Sequence, residues 1–365
     1  MIGERIMTEN NCFEYRKKEW INCAKFFAIL AVVVEHSKGI LYTNQDLADA
    51  TRYSVSLFIL ISGYLCFSSN ERHNRTYKDT VVMSCKKIVW SWIFASFIYT
   101  IVACHWFDFQ VFVNSLIYFN ATGPFYYVLL YIQLMITSKM IYCLLISSKQ
   151  YTKKRELACD IVLFFFLAFF AAVTTNNTNI LYIYGGGGKL FGGSYLILFY
   201  IGMVINKYRL LYNNNKVEII FIFIFSIICC VGWWRMMCVG YRTVIDSFFP
   251  FGEGVNPPSV TIMVFALLVF LCCYSFFSIC SWYAGTNNIT KVIGWVGQHT
   301  LYIFLYHRLW LDYFLKKYVN PDNIAIRRVI YITIMIAMPI AMEYLVLYII
   351  KRIRCIISLT YNENN

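Results

Sequence analysis

The stretch WINCAKFFAILAVVVEH at residues 20–36 combines an almost continuous apolar run with the ionisable side chains Lys25, Glu35 and His36. Its length approaches the roughly 20 residues with which an α-helix crosses a bilayer. No small-residue cleavage pattern follows the polar segment 1–19, so the sequence predicts a retained transmembrane helix and not a cleaved signal peptide. Burying ionisable groups in lipid is costly, which makes these three side chains candidate functional residues.

The composition of the whole chain is also that of a membrane protein. Of the 365 residues, 59% are hydrophobic and 14% are charged, against about 45–50% apolar and about 25% charged residues in soluble domains. Aromatic residues make up 19%, which suits lipid-facing walls and interfacial belts. The net charge of +13 is therefore interpreted through membrane topology, and we expect no nucleic-acid partner.

Apolar runs long enough to span a bilayer recur along the chain. They predict an all-α, polytopic integral membrane protein of about ten transmembrane helices. An even number of spans places both ends of the chain on one side of the membrane. The predicted spans are 20–41, 52–69, 84–104, 124–146, 157–175, 193–211, 217–234, 259–282, 292–315 and 327–350.

The distribution of Lys and Arg predicts the orientation of these spans. Segments on the side of the N-terminus carry about twice as many basic residues as those on the opposite side, so both ends are expected in the cytoplasm. This divides the chain into a cytoplasmic segment 1–19, a transmembrane domain 20–350 and a cytoplasmic tail 351–365. The expected location is a bacterial cytoplasmic membrane, with membrane lipid as a partner.

Three outer segments have features of their own. The four glycines at 185–188 predict a flexible loop, and the loop 235–258 contains Arg235, Arg242, Asp246 and Glu253. The last outer loop is unusually basic, which either anchors it to headgroups or forms an anion-binding rim. The chain has 14 Cys but no CxxC pair, so we expect apolar packing by cysteine and no metal site.

Lys25 and His36 are eleven residues apart, close to three full helical turns, so both face the same side of the first span about 16 Å from each other. An imidazole can take a proton from an alcohol near neutral pH. His36 is therefore either a general base or a histidine hydrogen-bonded between helices. Glu35 could orient the ring only if the backbone bends, since adjacent helical residues point about 100° apart.

This spacing resembles membrane-bound acyltransferase family 3, whose first helix typically reads Asp-x-x-Arg, ten residues and then His. The matching positions here are Asn22, Lys25 and His36. Asn replaces Asp, and Lys keeps the charge of Arg without its bidentate fork. The resemblance implies that Lys25 binds donor phosphates and that His36, with Glu35 beside it, is catalytic.

Two further motifs follow in the family's order. The second span reads LFILISGYL at residues 57–65, where Ser62 either contacts substrate or belongs to a close helix contact. The third span opens with Lys86 and Lys87, similar to a basic pair that the family places at the cytoplasmic mouth. The resemblance implies that both lysines attract the phosphates of coenzyme A, although inner-face charge is an alternative explanation.

The fourth and ninth spans extend the resemblance over about residues 20–350. The fourth begins GPFYYVLLYIQL at residues 123–134, where Gln133 is a polar side chain at membrane depth. The ninth contains IGWVGQHTLYIFLYH at residues 293–307 and ends in His307. Gln133 and His307 are candidate substrate-binding residues, and His307 could equally be a packed interhelical histidine.

The resemblance implies an acyl-CoA-dependent O-acyltransferase, with acetyl-CoA as the expected donor and an extracytoplasmic glycan or lipid-linked sugar as the acceptor. Two rivals stay open. A glycan polymerase or ligase would use an outer loop such as 235–258, and a flippase or transporter would show internal repeats, which are not evident. The sequence leaves the acceptor, the acyl length and the oligomeric state undetermined.

Overall fold

The computed structural model describes residues 9–73, 76–176, 189–211, 215–283, 288–319 and 323–363. Within these ranges the regular elements are all helical, which confirms the all-α prediction. The predicted glycine loop 185–188 lies outside the described residues. The α-helices are α1 (Glu9–His36), α2 (Gln45–Thr51), α3 (Ser54–His73), α4 (Tyr77–Cys104), α5 (Phe109–Tyr118), α6 (Tyr126–Ser147), α7 (Lys153–Asn176), α8 (Tyr195–Lys207), α9 (Lys216–Cys238), α10 (Tyr241–Asp246), α11 (Val260–Tyr283), α12 (Asn288–Gln298), α13 (Thr300–Leu309), α14 (Lys316–Tyr318) and α15 (Ile324–Glu363).

Seven helical stretches in the described residues are long and apolar enough to cross a membrane. The segments predicted as the first, sixth and ninth spans are helical as well. The count of ten and the cytoplasmic position of both ends stay predictions. The seven stretches are Gln45–His73, Tyr77–Cys104, Gly123–Gln150, Lys153–Asn176, Lys216–Cys238, Val260–Trp282 and Ile324–Ile349.

Helix α1 ends at His36, five residues before the predicted end of the first span. Ser37 Oγ donates a hydrogen bond to the carbonyl of Val33 at 2.7 Å. Gly39 has a φ of 80°, the left-handed conformation with which helices commonly terminate. Its N–H then donates to the carbonyl of Tyr42 at 2.8 Å. His36 is therefore the last helical residue, beside a tight turn.

The sixth predicted span, 193–211, is longer than the helix that forms there. Helix α8 has 13 residues, about 20 Å, which is short of the roughly 30 Å hydrocarbon core. Gly192 and Gly193 have positive φ just before it, and most of its side chains are buried. Helix α8 is thus a short helix packed inside the bundle.

The ninth predicted span, 292–315, is interrupted. Helix α12 ends at Gln298, α13 begins at Thr300, and a π-helical turn follows from Trp310 to Leu315. At the break, Nδ1 of His299 lies 2.7 Å from a carboxylate oxygen of Glu343 in α15. Single π-helical turns are frequent at functional sites, and this one begins three residues after His307.

Glycines bring the central helices into direct backbone contact. A Cβ added to Gly63 in α3 would lie 2.0 Å from the carbonyl oxygen of Phe199 in α8, and one added to Gly202 in α8 would lie 2.2 Å from that of Leu60. A Cβ on Gly297 in α12 would lie 1.8 Å from the carbonyl oxygen of Asn22 in α1. These distances show a close helix contact beside Ser62, which was one of the two interpretations of that segment, and the same kind of contact at two other glycines.

Replacing Gly202 with Ala should destabilise the bundle by about 1–3 kcal/mol, the usual cost of overpacking, because backbone atoms of α3 would have to move. Thermal unfolding of the detergent-purified protein measures this effect. Gly232→Ala is the matched control, since a Cβ at Gly232 in α9 meets no atom within 4 Å. Equal melting temperatures for the two variants would contradict the expectation.

Candidate functional site

A cavity of about 410 Å³ lies among α1, α3, α4, α6 and α13, with the end of α12 at its edge. Polar and aromatic side chains face each other across it. The polar lining residues include Lys25, Ser62, Asn70, Thr80 and Lys87, and the aromatic ones are Phe58, Tyr127, Tyr131 and Phe304.

Two of the three predicted donor-binding cations line this cavity. Lys25 reaches it from α1 and is half-buried. Lys87 reaches it from α4, is 65% exposed and lies 3.7 Å from a carboxylate oxygen of Glu343. Lys86 is exposed and is not among the lining residues, because neighbouring helical residues point about 100° apart. The cavity therefore carries positive charge from two helices.

Ser62 lines the cavity as predicted for a substrate-contacting residue. Its hydroxyl donates to the carbonyl of Phe58 one turn earlier at 2.8 Å, so its oxygen can still accept a hydrogen bond. Further along the same wall, the Thr80 hydroxyl donates to the amide oxygen of Asn70 at 3.2 Å. This side of the cavity thus has hydroxyl and amide groups that suit a polar, extended ligand.

Three rings that line the cavity, which we call the aromatic layer, contact one another in series: Phe58, Tyr127 and Phe304. The Phe58 and Tyr127 centroids are 6.4 Å apart, and those of Tyr127 and Phe304 are 4.9 Å apart. The Phe304 ring also lies 6.3 Å from the ring of His307. Phe304 therefore connects the lining of the cavity to His307.

His36 and His307 form a pair next to Phe304 of the aromatic layer. Their ring centroids are 4.9 Å apart, with an angle of 60° between the ring planes. His307 is fully buried, whereas His36 is partly exposed. The structure thus brings together two histidines that the sequence analysis singled out separately, 271 positions apart in the chain.

Glu35 points away from the ring that it was predicted to orient. Its carboxylate accepts a hydrogen bond from the Ser54 hydroxyl at 3.3 Å. Nδ1 of His36 is instead held by the carbonyl of Val32, one turn earlier, at 2.8 Å. The predicted orientation of His36 by Glu35 is therefore corrected: the two side chains have separate partners, and the backbone of α1 holds the ring.

Gln133 contacts a turn of the backbone and is not among the residues that line the cavity. Its side-chain oxygen accepts a hydrogen bond from the N–H of Phe191 at 2.5 Å, in the short helical turn before α8. The sequence made Gln133 a candidate substrate-binding residue. In the structure its observed contact is with the backbone of this turn and not with the cavity.

Charged residues of the loop 235–258 are engaged with one another. The guanidinium of Arg242 lies 3.4 Å from the carboxylate of Asp246, which is buried and accepts a hydrogen bond from the N–H of Thr261 at 2.9 Å. In the last loop, Arg328 donates to the carbonyl of Leu41 at 2.9 Å, and Lys316 lies 2.6 Å from Asp312. These contacts favour structural roles for the five charged side chains over roles in catalysis or anion binding.

Several residues that line the cavity were not predicted from the sequence. Tyr127, Tyr131 and Phe304 belong to apolar helical runs whose aromatic residues all appear alike in sequence. Asn70 and Thr80 are polar residues near predicted span ends, where such residues are common. What these residues share is that they line one cavity, which forms only where α3, α4, α6 and α13 pack together.

Comparison with known proteins identifies the family of the chain. No curated protein and no solved structure matches the chain significantly. A family model described as an acyltransferase domain, acyltransferase family 3, matches residues 18–347. That interval begins within α1 ahead of Lys25 and His36, contains the whole cavity and the histidine pair, and ends within α15. The chain is therefore a member of the membrane-bound acyltransferase family 3.

Proposed function

We propose that the protein is an acyl-CoA-dependent O-acyltransferase that transfers an acyl group, with acetyl as the expected case, to a hydroxyl group presented on the other side of the membrane. The observation that carries the proposal is the arrangement along α1. Lys25 reaches the cavity, and His36 lies three turns further along α1, in ring contact with His307. One helix thereby connects a cationic cavity to an imidazole about 16 Å away.

The donor fits the cavity by charge and shape. Coenzyme A has phosphates at one end and a thioester at the other, joined by an extended polar arm. Lys25 and Lys87 would hold the phosphates electrostatically, and the arm would run along Ser62 and the polar wall. The thioester would then meet Phe304 in the aromatic layer, whose ring must turn aside for the carbonyl carbon to approach His36.

The chemistry at His36 follows from its free nitrogen. Nδ1 is engaged with the carbonyl of Val32, which leaves Nε2 to take the proton of the acceptor hydroxyl. The hydroxyl oxygen attacks the thioester carbonyl, the carbon–sulfur bond breaks, and the coenzyme A thiolate receives the proton from His36. A second route, in which His36 is acylated and then deacylated by the acceptor, uses the same nitrogen.

The acceptor in this proposal is a glycan or a lipid-linked sugar that arrives from outside the cytoplasmic membrane. Hydroxyl groups of sugars are abundant there and require an activated donor from the cytoplasm. The position of His36 at the end of α1, next to a turn, supports access from the side opposite the lysines. Acyl-CoA and membrane lipid are thus the proposed partners on one side, and the acceptor is the partner on the other.

The family membership favours this activity over the two rivals. A polymerase or ligase was considered because of the charges in the loop 235–258, and the contacts of Arg242 and Asp246 within that loop are of a structural kind. A flippase would move a lipid-linked sugar without consuming acyl-CoA. Dependence on acyl-CoA therefore separates the proposed activity from both rivals.

Membrane vesicles from cells that produce the chain provide the direct test. Radiolabelled acetyl-CoA is added to the cytoplasmic face, and the glycan and lipid-linked sugar fractions are then extracted. We expect label in one of these fractions that mild alkali releases as acetate, as an ester would, and no such label with the His36→Gln protein. Equal labelling by parent and variant, or no labelling at all, would contradict the proposal.

The proposed orientation has its own test. In a chain without its native cysteines, Ser247→Cys in the predicted outer loop should react with an impermeant thiol reagent added outside intact cells. Gln150→Cys, between α6 and α7, is the matched control and should react only after permeabilisation. Both positions are exposed in the structure, so the difference reports on sidedness and not on burial. The reverse labelling pattern would show that the topology is the opposite of the proposed one.

A further inference from the structure

His36 and His307 contact the backbone through the same ring nitrogen, Nδ1. Nδ1 of His36 is bonded to the carbonyl of Val32 at 2.8 Å. Nδ1 of His307 lies 3.0 Å from the carbonyl of Ile303 and 2.9 Å from that of Phe304. A carbonyl oxygen only accepts hydrogen bonds, so Nδ1 carries the hydrogen in both rings. In the neutral state each Nε2 is then an acceptor.

Nε2 of His307 has no hydrogen-bond partner within the described part of the chain, although the residue is 0% exposed. A buried polar atom without a partner destabilises a protein, and such atoms are uncommon. Nearby, the ring of His36 lies 4.9 Å away, centroid to centroid. The neutral His36 ring offers Nε2 as another acceptor, so neither Nε2 can donate a hydrogen bond to the other while both rings are neutral.

We infer that His307 is a positioning residue for the catalytic step, which rests on the proposed function above. When the acceptor hydroxyl loses its proton to Nε2 of His36, that nitrogen becomes an N–H donor. Nε2 of His307 is the buried acceptor for this hydrogen bond. It holds the imidazolium ring in place and stabilises its charge while the acceptor oxygen bonds to the thioester carbon. The proton then passes from His36 to the departing thiolate, and both rings return to their neutral forms.

The neighbouring charged groups have partners of their own. Arg308 lies 2.7 Å from Asp312, and a guanidinium cannot accept a hydrogen bond from an imidazolium. Lys316 contacts the other carboxylate oxygen of Asp312 at 2.6 Å, while Glu35 is bonded by Ser54. Among these groups, His307 is the one that combines an available acceptor atom with direct ring contact to His36.

The two amide variants of His307 separate this role from a structural one. The amide of Asn ends near the position of Nδ1, so His307→Asn can keep the backbone contacts but loses the acceptor at Nε2. The amide of Gln ends near the position of Nε2, so His307→Gln can supply an acceptor oxygen there. We expect His307→Asn to lower kcat by roughly 10- to 100-fold, as for a lost hydrogen bond to a charged group.

His307→Gln should retain most of the parent kcat, and KM for acetyl-CoA should be unchanged in both variants because the donor phosphates bind at the lysines. A residue that serves only to pack through Nδ1 would give the reverse order, with Asn tolerated and Gln impaired. That order would overturn the inference. So would the failure of both variants to insert and purify as stable protein, since His307 would then be a packing residue.

A double variant supplies a readout that fold stability does not affect. If His307 acts through His36, adding His307→Asn to His36→Gln should cause no further loss in kcat, because the imidazolium never forms. If the losses in kcat of the two single variants multiply in the double variant, the inference is overturned. If the parent protein shows no acyl transfer, the proposed function is refuted. If the parent is active and His307→Asn has an unchanged kcat, only the role of His307 is refuted.

Discussion

His36→Gln is expected to lower kcat by about 10²–10⁴-fold, the usual contribution of a general base, while the protein remains folded and inserted. The amide of Gln can replace a hydrogen bond made by the ring, but it cannot accept the proton of the acceptor hydroxyl. His36 is partly exposed at the end of α1, so the substitution leaves no large cavity. His36→Ala should lose activity to a similar extent.

The measurement is kcat for acetyl transfer by purified enzyme of parent-like thermal stability. His73→Gln is the matched control, because His73 is an exposed histidine at the end of α3 with no assigned role. A histidine needed only for packing would show the opposite pattern, in which Gln restores both yield and activity and Ala reduces the amount of protein. More than about a tenth of the parent rate in His36→Gln would exceed the expected catalytic loss and disprove the mechanism.

Lys25→Ala is expected to raise KM for acyl-CoA by roughly 10- to 100-fold, since a charge-assisted hydrogen bond contributes about 1.5–3 kcal/mol. Lys25 is half-buried in the cavity wall, where its charge is poorly screened by salt. Lys25→Arg should keep the charge and most of the affinity. The value of kcat at saturating donor should change little, because the proton transfer takes place three turns away at His36.

The other two lysines provide graded comparisons. Lys87 lines the same cavity, but it is 65% exposed and lies 3.7 Å from Glu343, so Lys87→Ala should raise KM for the donor less than Lys25→Ala. Lys86→Ala serves as the matched control, because Lys86 is exposed outside the cavity lining. An unchanged donor KM in Lys25→Ala, or the largest increase in Lys86→Ala, would reject the assignment of the phosphate site.

The register of α1 was predictable because it depends on local geometry alone. Eleven residues are close to three turns of any α-helix, so Lys25 and His36 could be placed on one side without knowledge of their neighbours. Run lengths are also a local property, and they predicted the all-α fold. The interruption at His299 and the short α8 were not predictable in this way, because both satisfy apolar criteria and depend on what packs around them.

The amino-acid sequence by itself determined the helical membrane fold through composition and run length, and the candidate residues of α1 through their spacing in one segment. It indicated the family through the resemblance of motifs in several spans. Only the tertiary structure decided which side chains meet. It joined His307 to His36 across two helices, placed Lys87 but not Lys86 in the cavity wall, and directed Glu35 to Ser54 and Gln133 to a backbone turn. The physical reason is that side-chain partners depend on the rotation of each helix about its axis, which is set by contacts such as those of Gly202 and Gly297 between segments far apart in the chain.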